Sequence, residues 1–178
     1  KIDLIAGARP NFMKIASIID AIHEAQLENK NIQYRLIHTG QHYDAAMNDS
    51  FWAELGFRPD YQGVWSDRRA DAAALQLALE QASVDAVVVY GDTDSTVLGA
   101  QAAQELGLPF AHADAGLRSF NSLMPEEHNR IWVDERANWL WAPTAGALEQ
   151  IKREQLDRGA NIAVVSTVPL SEMFGYST

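Results

Sequence analysis

Apolar residues come in two rhythms along this chain, and the rhythms alternate. Ile2, Leu4 and Ile5 form a short run closed by Gly7, with Pro10 just beyond, which predicts a buried strand over residues 2–6. Ile15, Ile18, Ile19 and Ile22 then recur at helical spacing, so a helix is expected over 11–27. Tyr34, Leu36 and Ile37 predict a second strand, stopped by Thr39-Gly40. Met47, Phe51 and Leu55 fall on one face of a helix expected over 44–55, and Tyr61 to Trp65 reads as a short edge strand. A helix around Leu75, Leu77 and Leu79 leads to Asp85–Tyr90, where Val87-Val88-Val89 is the clearest buried strand in the chain. The remainder predicts helices at 94–106, 125–138 and 145–156 and strands at 109–113, 139–142 and 161–165. Strands that alternate with helices pair in parallel. The expected fold class is therefore α/β: a doubly wound, mostly parallel Rossmann-like sheet of about seven strands, with helices on both faces and strand one beside Val87–Val89. No repeat, low-complexity stretch or linker rich in Gly, Pro or Ser interrupts the pattern, and Ser166–Thr178 is its least patterned segment.

Composition narrows the function. A chain of 178 residues fits one domain with a substantial core. Its 47% hydrophobic and 21% charged residues are ordinary globular composition. A net charge of −10 repels phosphate backbones over most of the surface, which excludes a general nucleic-acid binder and requires a local basic pocket for any anionic ligand. Cysteine is absent, which excludes disulfides, zinc thiolates, iron–sulfur clusters and cysteine nucleophiles. No apolar run approaches the ~18 residues of a membrane span. The chain opens in a strand-like segment rather than a charged region followed by an apolar core, so a cytoplasmic domain that meets neither nucleic acid nor membrane is expected.

The unusual residues gather where strands end. Gly7-Ala8-Arg9-Pro10 follows strand one, Thr39-Gly40-Gln41-His42 follows strand two, and Gly91-Asp92-Thr93-Asp94-Ser95 follows the valine strand. His112 to Arg118 follows the next strand, and Pro125-Glu126-Glu127-His128-Asn129-Arg130 opens a helix soon after. In an open α/β sheet all of these lie on the carboxyl edge, where ligands bind, with Arg9 and Asp92 flanking the switch-point crevice. Arg9, Lys14, His42, Asp92, His112, Asp114, Arg118, Glu126 and Arg130 thus share one edge. Arginines suit phosphate groups held bidentately, and several carboxylates in one crevice can divide into base and acid. The combination points to proton abstraction with loss of a phosphorylated leaving group. Gly7-Ala8-Arg9 is not the G-x-G-x-x-G fingerprint, which weakens a dinucleotide reading. Trp132, Trp139 and Trp141 read as core or interface bulk, and Glu126 and Glu127 also suit any first helical turn.

Five segments together carry a resemblance. Gly7 to Ala16, Thr39-Gly40-Gln41-His42-Tyr43, Gly91-Asp92-Thr93 with Ser95-Thr96, His112 to Arg118, and Pro125 to Arg130 followed by Asp134 resemble, in order and spacing, the non-hydrolysing UDP-N-acetylglucosamine 2-epimerases. The resemblance implies an isomerase that interconverts UDP-N-acetylglucosamine and UDP-N-acetylmannosamine for cell-surface polysaccharides, needing no cofactor or metal. It implies two Rossmann-like domains facing across a cleft, as in GT-B glycosyltransferases. It further implies removal of the C2 proton, expulsion of UDP to give a glycal, and re-addition of UDP with C2 inverted. By motif, Asp92, Asp114 and Glu126 stand at the acid/base positions, and Arg9, Lys14, Gln41 and His42 at ligand contacts. Arg118 and Arg130 stand at substrate-binding or positioning sites. On this basis residues 1–165 are expected to form the amino-terminal domain, and 166–178 the start of a connection to a second domain that these residues do not contain. The partners expected are a UDP-sugar, that second domain and a second copy in a homodimer, and the isolated half is expected not to turn over.

The chain departs from the family pattern at several points. Asp114 stands where the family usually has Glu, and an acidic Asp94 makes Asp-x-Asp with Asp92. Ser17 replaces a usual proline, 58–72 is short, and Val165-Ser166-Thr167 replaces a usual Gly-Asn. Two other functions fit the residues. Asp92 and Asp94 suit Mg²⁺ carrying a nucleotide-sugar diphosphate, as in a metal-dependent glycosyltransferase, although Asp94 also suits a helix N-cap. A non-catalytic binding or assembly module would retain the fold and tolerate loss of the carboxylates.

Overall fold

Among the described residues every strand pairing is parallel, and the reason lies in the alternation of short apolar runs with amphipathic helices. The computed structural model describes residues 1–41, 49–64, 67–156 and 159–164. The elements are β1 (Ile2–Ala6), α1 (Arg9–Leu27), β2 (Tyr34–His38), α2 (Asp49–Leu55), β3 (Tyr61–Gln62), α3 (Arg68–Ala82), β4 (Ala86–Tyr90), α4 (Asp94–Glu105), β5 (Phe110–Ala113), α5 (Pro125–Asp134), β6 (Trp139–Ala142), α6 (Ala145–Arg153) and β7 (Asn161–Val164). The sheet order is β3-β2-β1-β4-β5-β6-β7, so β1 lies beside the valine strand as the sequence predicts.

One set of strands feeds two cores because successive side chains point to opposite faces. Leu4, Leu36, Val88, Tyr90, Ala111 and Ala113 pack with Phe12, Ile15, Ile19 and Ile22 of α1 and Phe51 and Trp52 of α2. Ile5, Ile37, Val87, Val89, Phe110 and Leu140 face the other way, onto Leu75 and Leu79 of α3, Leu98 of α4, Val133 of α5 and Ile151 of α6. Asp3, fully buried in β1, takes two bonds from Arg35 of β2, at 2.9 and 2.5 Å, and Arg35 also reaches the Ala78 carbonyl of α3 at 3.0 Å.

The helices begin where the chain's chemistry says they should. α1 and α5 each carry proline in the first turn, where a missing N–H costs nothing. Thr144 caps α6 by accepting the Ala147 N–H at 3.1 Å. The edge strand β3 is shorter than predicted, ending at Gln62, and α5 and α6 end at Asp134 and Arg153 rather than at 138 and 156. The expected start of the second helix at 44, Trp65, and the segment from 165 to 178 lie outside the described residues.

Candidate active site

The described residues that follow β1, β2, β4 and β5 leave the same, carboxyl edge of the parallel sheet. The turn after β4 is held carbonyl by carbonyl. Tyr90 O accepts from Asn11 Nδ2 at 3.1 Å and Thr96 Oγ1 at 2.8 Å, Gly91 O from His112 Nε2 at 2.8 Å, and Asp92 O from Asn129 Nδ2 at 2.9 Å. Gly91 sits at φ +79°, a left-handed conformation that favours glycine, and a Cβ there would lie 2.9 Å from Asn11 Nδ2. The Asp92 carboxylate, about a quarter exposed, pairs with Arg130 of α5. Arg130 also grips Glu127 at 3.0 Å. Glu126 lies on the same face of α5 as Arg130, four residues earlier, and is partly exposed.

Asp114 occupies the turn after β5, buried and at φ +73°. Its carboxylate takes the Lys14 ammonium of α1 at 2.6 Å, and Lys14 lies 5.7 Å over the Tyr90 ring. Burial first, and then the Asp114 charge, push the Tyr90 hydroxyl's pKa above its ordinary range. Asp92 with Arg130 and Asp114 with Lys14 are thus two anion–cation pairs on adjacent turns. An aspartate tolerates the left-handed region better than most residues, which suits Asp114 to this turn.

Gln41 does something the sequence does not reveal. Its side-chain oxygen accepts the Ser95 N–H at 2.8 Å and the Ser95 hydroxyl at 2.6 Å, while Thr39 Oγ1 lies 2.6 Å from Ser95 Oγ and receives the Gln41 N–H at 3.4 Å. Gln41 therefore caps α4 from another loop. The N-cap residue itself is Thr93, whose side chain makes no capping bond, so the expected N-cap at Asp94 is corrected: Asp94 is the first helical residue, and its carboxylate lies 3.4 Å from Asn129 Nδ2. Gly7 abuts this hydroxyl pair so closely that a Cβ would overlap Ser95 Oγ and stand 2.6 Å from Thr39 Oγ1. Arg9 is exposed at the start of α1, its guanidinium 4.9 Å from the Phe51 ring centroid. His42 lies outside the described residues.

Arg118 faces inward rather than toward the edge. Its side chain is 2% exposed and is bonded to Asp134 at 2.7 Å and to Glu154 at 3.0 and 2.5 Å. These bonds leave it little capacity for a ligand and assign it to holding the β5–α5 turn against α5 and α6. The Asp134 carboxylate also accepts the Gly116 N–H at 3.0 Å and lies 2.5 Å from His112 Nδ1. Burial works against the charged forms of both groups, but mutual attraction and hydrogen bonding outweigh it, raising the His112 pKa and lowering that of Asp134. Glu127 is the first-turn acid that the sequence suggests and is also a buried anchor. It accepts Ser119 N–H at 2.8 Å, Ser119 Oγ at 2.9 Å and Phe120 N–H at 3.0 Å, and holds the loop with Phe120 at φ +55°. Burial opposes its ionisation, but these bonds and Arg130 carry its pKa below the ordinary value. Nothing local in the sequence distinguishes Glu127 from Glu126; the difference is the loop that returns over one of them.

The family profile described as UDP-N-acetylglucosamine 2-epimerase matches residues 24–173. The chain is 40% identical over 167 residues to the UDP-2,3-diacetamido-2,3-dideoxy-D-glucuronate 2-epimerase of Pseudomonas aeruginosa, covering 90% of this chain and 46% of that protein. The crystal structure of Methanocaldococcus jannaschii UDP-GlcNAc 2-epimerase in complex with UDP-GlcNAc and UDP matches with a TM-score of 0.78 at 36% identity, over 92% of this chain and 46% of that one. The S. aureus MnaA–UDP co-structure matches with a TM-score of 0.84 at 26% identity, over 99% and 49%. The chain spans about half the length of the relatives it matches. With the profile running over most of its residues, and with the parallel sheet shared by these structures, the chain belongs to the UDP-N-acetylglucosamine 2-epimerase family.

Proposed function

We propose that residues 1–165 are the amino-terminal, sugar-side domain of an enzyme that inverts C2 of a UDP-linked 2-acetamido sugar. The observation that carries this reading is the placement of Asp92 and Asp114 on the turns after β4 and β5, each against a cation, Arg130 and Lys14, with Glu126 one helical turn before Arg130 on α5. A carboxylate takes the C2 proton; the C–H electron pair becomes the C1–C2 double bond as the C1–O bond to UDP breaks. Return runs in reverse: a proton is delivered to the other face of C2 and a UDP oxygen re-forms its bond to C1. One carboxylate cannot serve both faces of the ring, so at least two of the three are required. Arg9, after β1, and Gln41, after β2, are assigned as ligand contacts, with His42 assigned the same role by its motif. The family supports an isomerase; inactivity of this half alone is part of the proposal, since the leaving group then lacks the wall that holds it. The reading also carries a cytoplasmic location and a homodimer, the latter testable by concentration-dependent sedimentation.

The metal-dependent glycosyltransferase reading is not favoured. It needs Asp92 and Asp94 as metal ligands, whereas Asp92 is engaged by Arg130 and Asp94 approaches Asn129. The decisive experiment is turnover of UDP-N-acetylglucosamine, and in parallel of the UDP-2,3-diacetamido uronate, by the intact protein. Asp92→Asn and Glu126→Gln should each lower kcat by about 10²–10⁴-fold with nucleotide affinity largely spared. Unchanged rates in both variants, or robust turnover by residues 1–178 alone, would refute the proposal.

A further inference from the structure

His112 lies outside the three carboxylates assigned to chemistry, yet it is fully buried and bonds the peptide that carries one of them. Its two ring nitrogens face two acceptors. On one side is a peptide carbonyl, Gly91 O at 2.8 Å, which can only accept, so Nε2 carries a proton. On the other is Asp134 Oδ1 at 2.5 Å, while Asp134 Oδ2 receives the Gly116 N–H and the Arg118 guanidinium. A carboxylate facing a guanidinium stays ionised, so Nδ1 carries a proton as well. The charged groups around the ring are Asp134 from α5, Arg118 and Asp114 from its own turn, and the Gly91 carbonyl dipole from the β4–α4 turn. Gly91 is held on its other side too, its N–H donating to Ala113 O at 3.2 Å. Of the donors that hold the carbonyls of Tyr90, Gly91 and Asp92, His112 is the charged one.

We propose that His112 is a positioning residue for Asp92: as an imidazolium anchored by Asp134, it grips the Gly91 carbonyl and so fixes the peptide from which the Asp92 carboxylate projects toward Arg130. The same ion pair reaches, through Asp134, to Gly116 and Arg118 of the turn that begins with Asp114. One buried cation therefore keeps the two acid/base turns in register. The inference rests on the assignment of Asp92 to chemistry, but its geometric half does not.

Two variants separate a grip on Gly91 from a plain structural role. The amide of His112→Gln reaches about as far as Nε2 and can donate to Gly91 O. The amide of His112→Asn ends near Nδ1 and can meet only Asp134. Both lose the buried charge. In the intact protein, His112→Asn should lower kcat about 100-fold, the scale of a displaced catalytic group, with KM changed less than about threefold. His112→Gln should retain at least about ten times more kcat than His112→Asn. Equal kcat losses in the two variants, in proportion to lost stability, would overturn the proposal. A second measurement needs no variant and no activity: in ¹⁵N-histidine-labelled wild-type protein, both His112 ring nitrogens should carry bonded protons at pH 7, and a neutral ring would overturn the proposal. If the protein proves not to be an epimerase, the imidazolium signals and a Gly91 carbonyl shift that moves in the Asn variant but not in the Gln variant still support the positioning. Absence of that difference overturns it independently.

Discussion

His38 ties a single side chain to the acid stability of the whole domain. Its ring is 1% exposed and lies edge-on to Phe12 at 4.9 Å and tilted to Trp52 at 6.4 Å. Nδ1 accepts the Gly40 N–H at 3.0 Å, so the proton sits on Nε2, for which no acceptor is found among the described residues. Burial among these rings lowers its pKa to about 4 from an ordinary 6.5. As pH falls, the unfolded chain binds this proton before the folded one does. The stability conferred by the neutral ring is therefore complete above about pH 6.5 and is lost on the way down to about pH 4. Asp134 and Glu127, with lowered values, lose their contributions only below the ordinary carboxylate range. His112 has the opposite sign: its raised pKa confers stability that is full below 6.5 and fades as pH climbs through its folded value. His38→Asn retains an acceptor near Nδ1 and does not titrate. Its urea midpoint should vary less between pH 6.5 and 4 than that of the wild type; identical slopes would remove His38 from the acid response.

Between elements, the clearest device is the cap that Gln41 places on α4. Without it the Ser95 N–H loses its acceptor and the Thr39–Ser95 hydroxyl pair loses its end point. Gln41→Ala should destabilise the fold by about 1 kcal/mol, the usual cost of a lost cap, read from urea unfolding. Gln41→Glu retains the acceptor and adds negative charge at a helix N-terminus, so it should recover most of that loss. The elements themselves were legible. Val87-Val88-Val89 reads as a strand buried on both faces, and the polar turns after β1, β4 and β5 are where the strands end. Periodicity reports which face of an element is apolar. It does not report which side chain from another loop will meet it. Gln41 and Ser95 are 54 residues apart, and Glu127 acquires its role only because Ser119 and Phe120 fold back onto it. The pairing of Arg118 is hidden for the same reason: its partner Glu154 lies 36 residues away, at the C-cap of a helix whose docking no local pattern encodes. Just past the short β3, Gly63 donates its N–H to His38 O, and a Cβ at that position would stand 2.5 Å from the Thr39 carbonyl oxygen, so the chain can pass there only as glycine.

At the scale of the molecule, charge is unevenly placed. The chain carries −10 overall, yet Arg9, Lys14 and Arg130 converge on one edge. Lys14 and Arg130 are neutralised by Asp114 and Asp92, whereas Arg9 has no ion pair among the described residues and rests on the Phe51 ring. Of these three cations, Arg9 is therefore the one that the proposed function assigns to a diphosphate. In the intact protein, Arg9→Ala should weaken UDP binding by about 10–100-fold, the scale of a charged hydrogen bond. It should also flatten the decline of affinity with added salt, because fewer charges remain to be screened. Calorimetry at two ionic strengths checks both, and an unchanged salt slope would place the diphosphate elsewhere. The distances in sequence that these pairs span also govern when the site exists at all. Lys14 meets Asp114 across 100 residues, Gln41 meets Ser95 across 54, and Arg130 meets Asp92 across 38. None of them can close until the strands between have found their register, so they belong to the last steps of folding. A chain still leaving the ribosome, or one caught part-way through folding, has strands and helices but no crevice. A ligand that needs these pairs in place binds only the finished fold and draws the population toward it, so it acts as a selective stabiliser of correctly completed molecules.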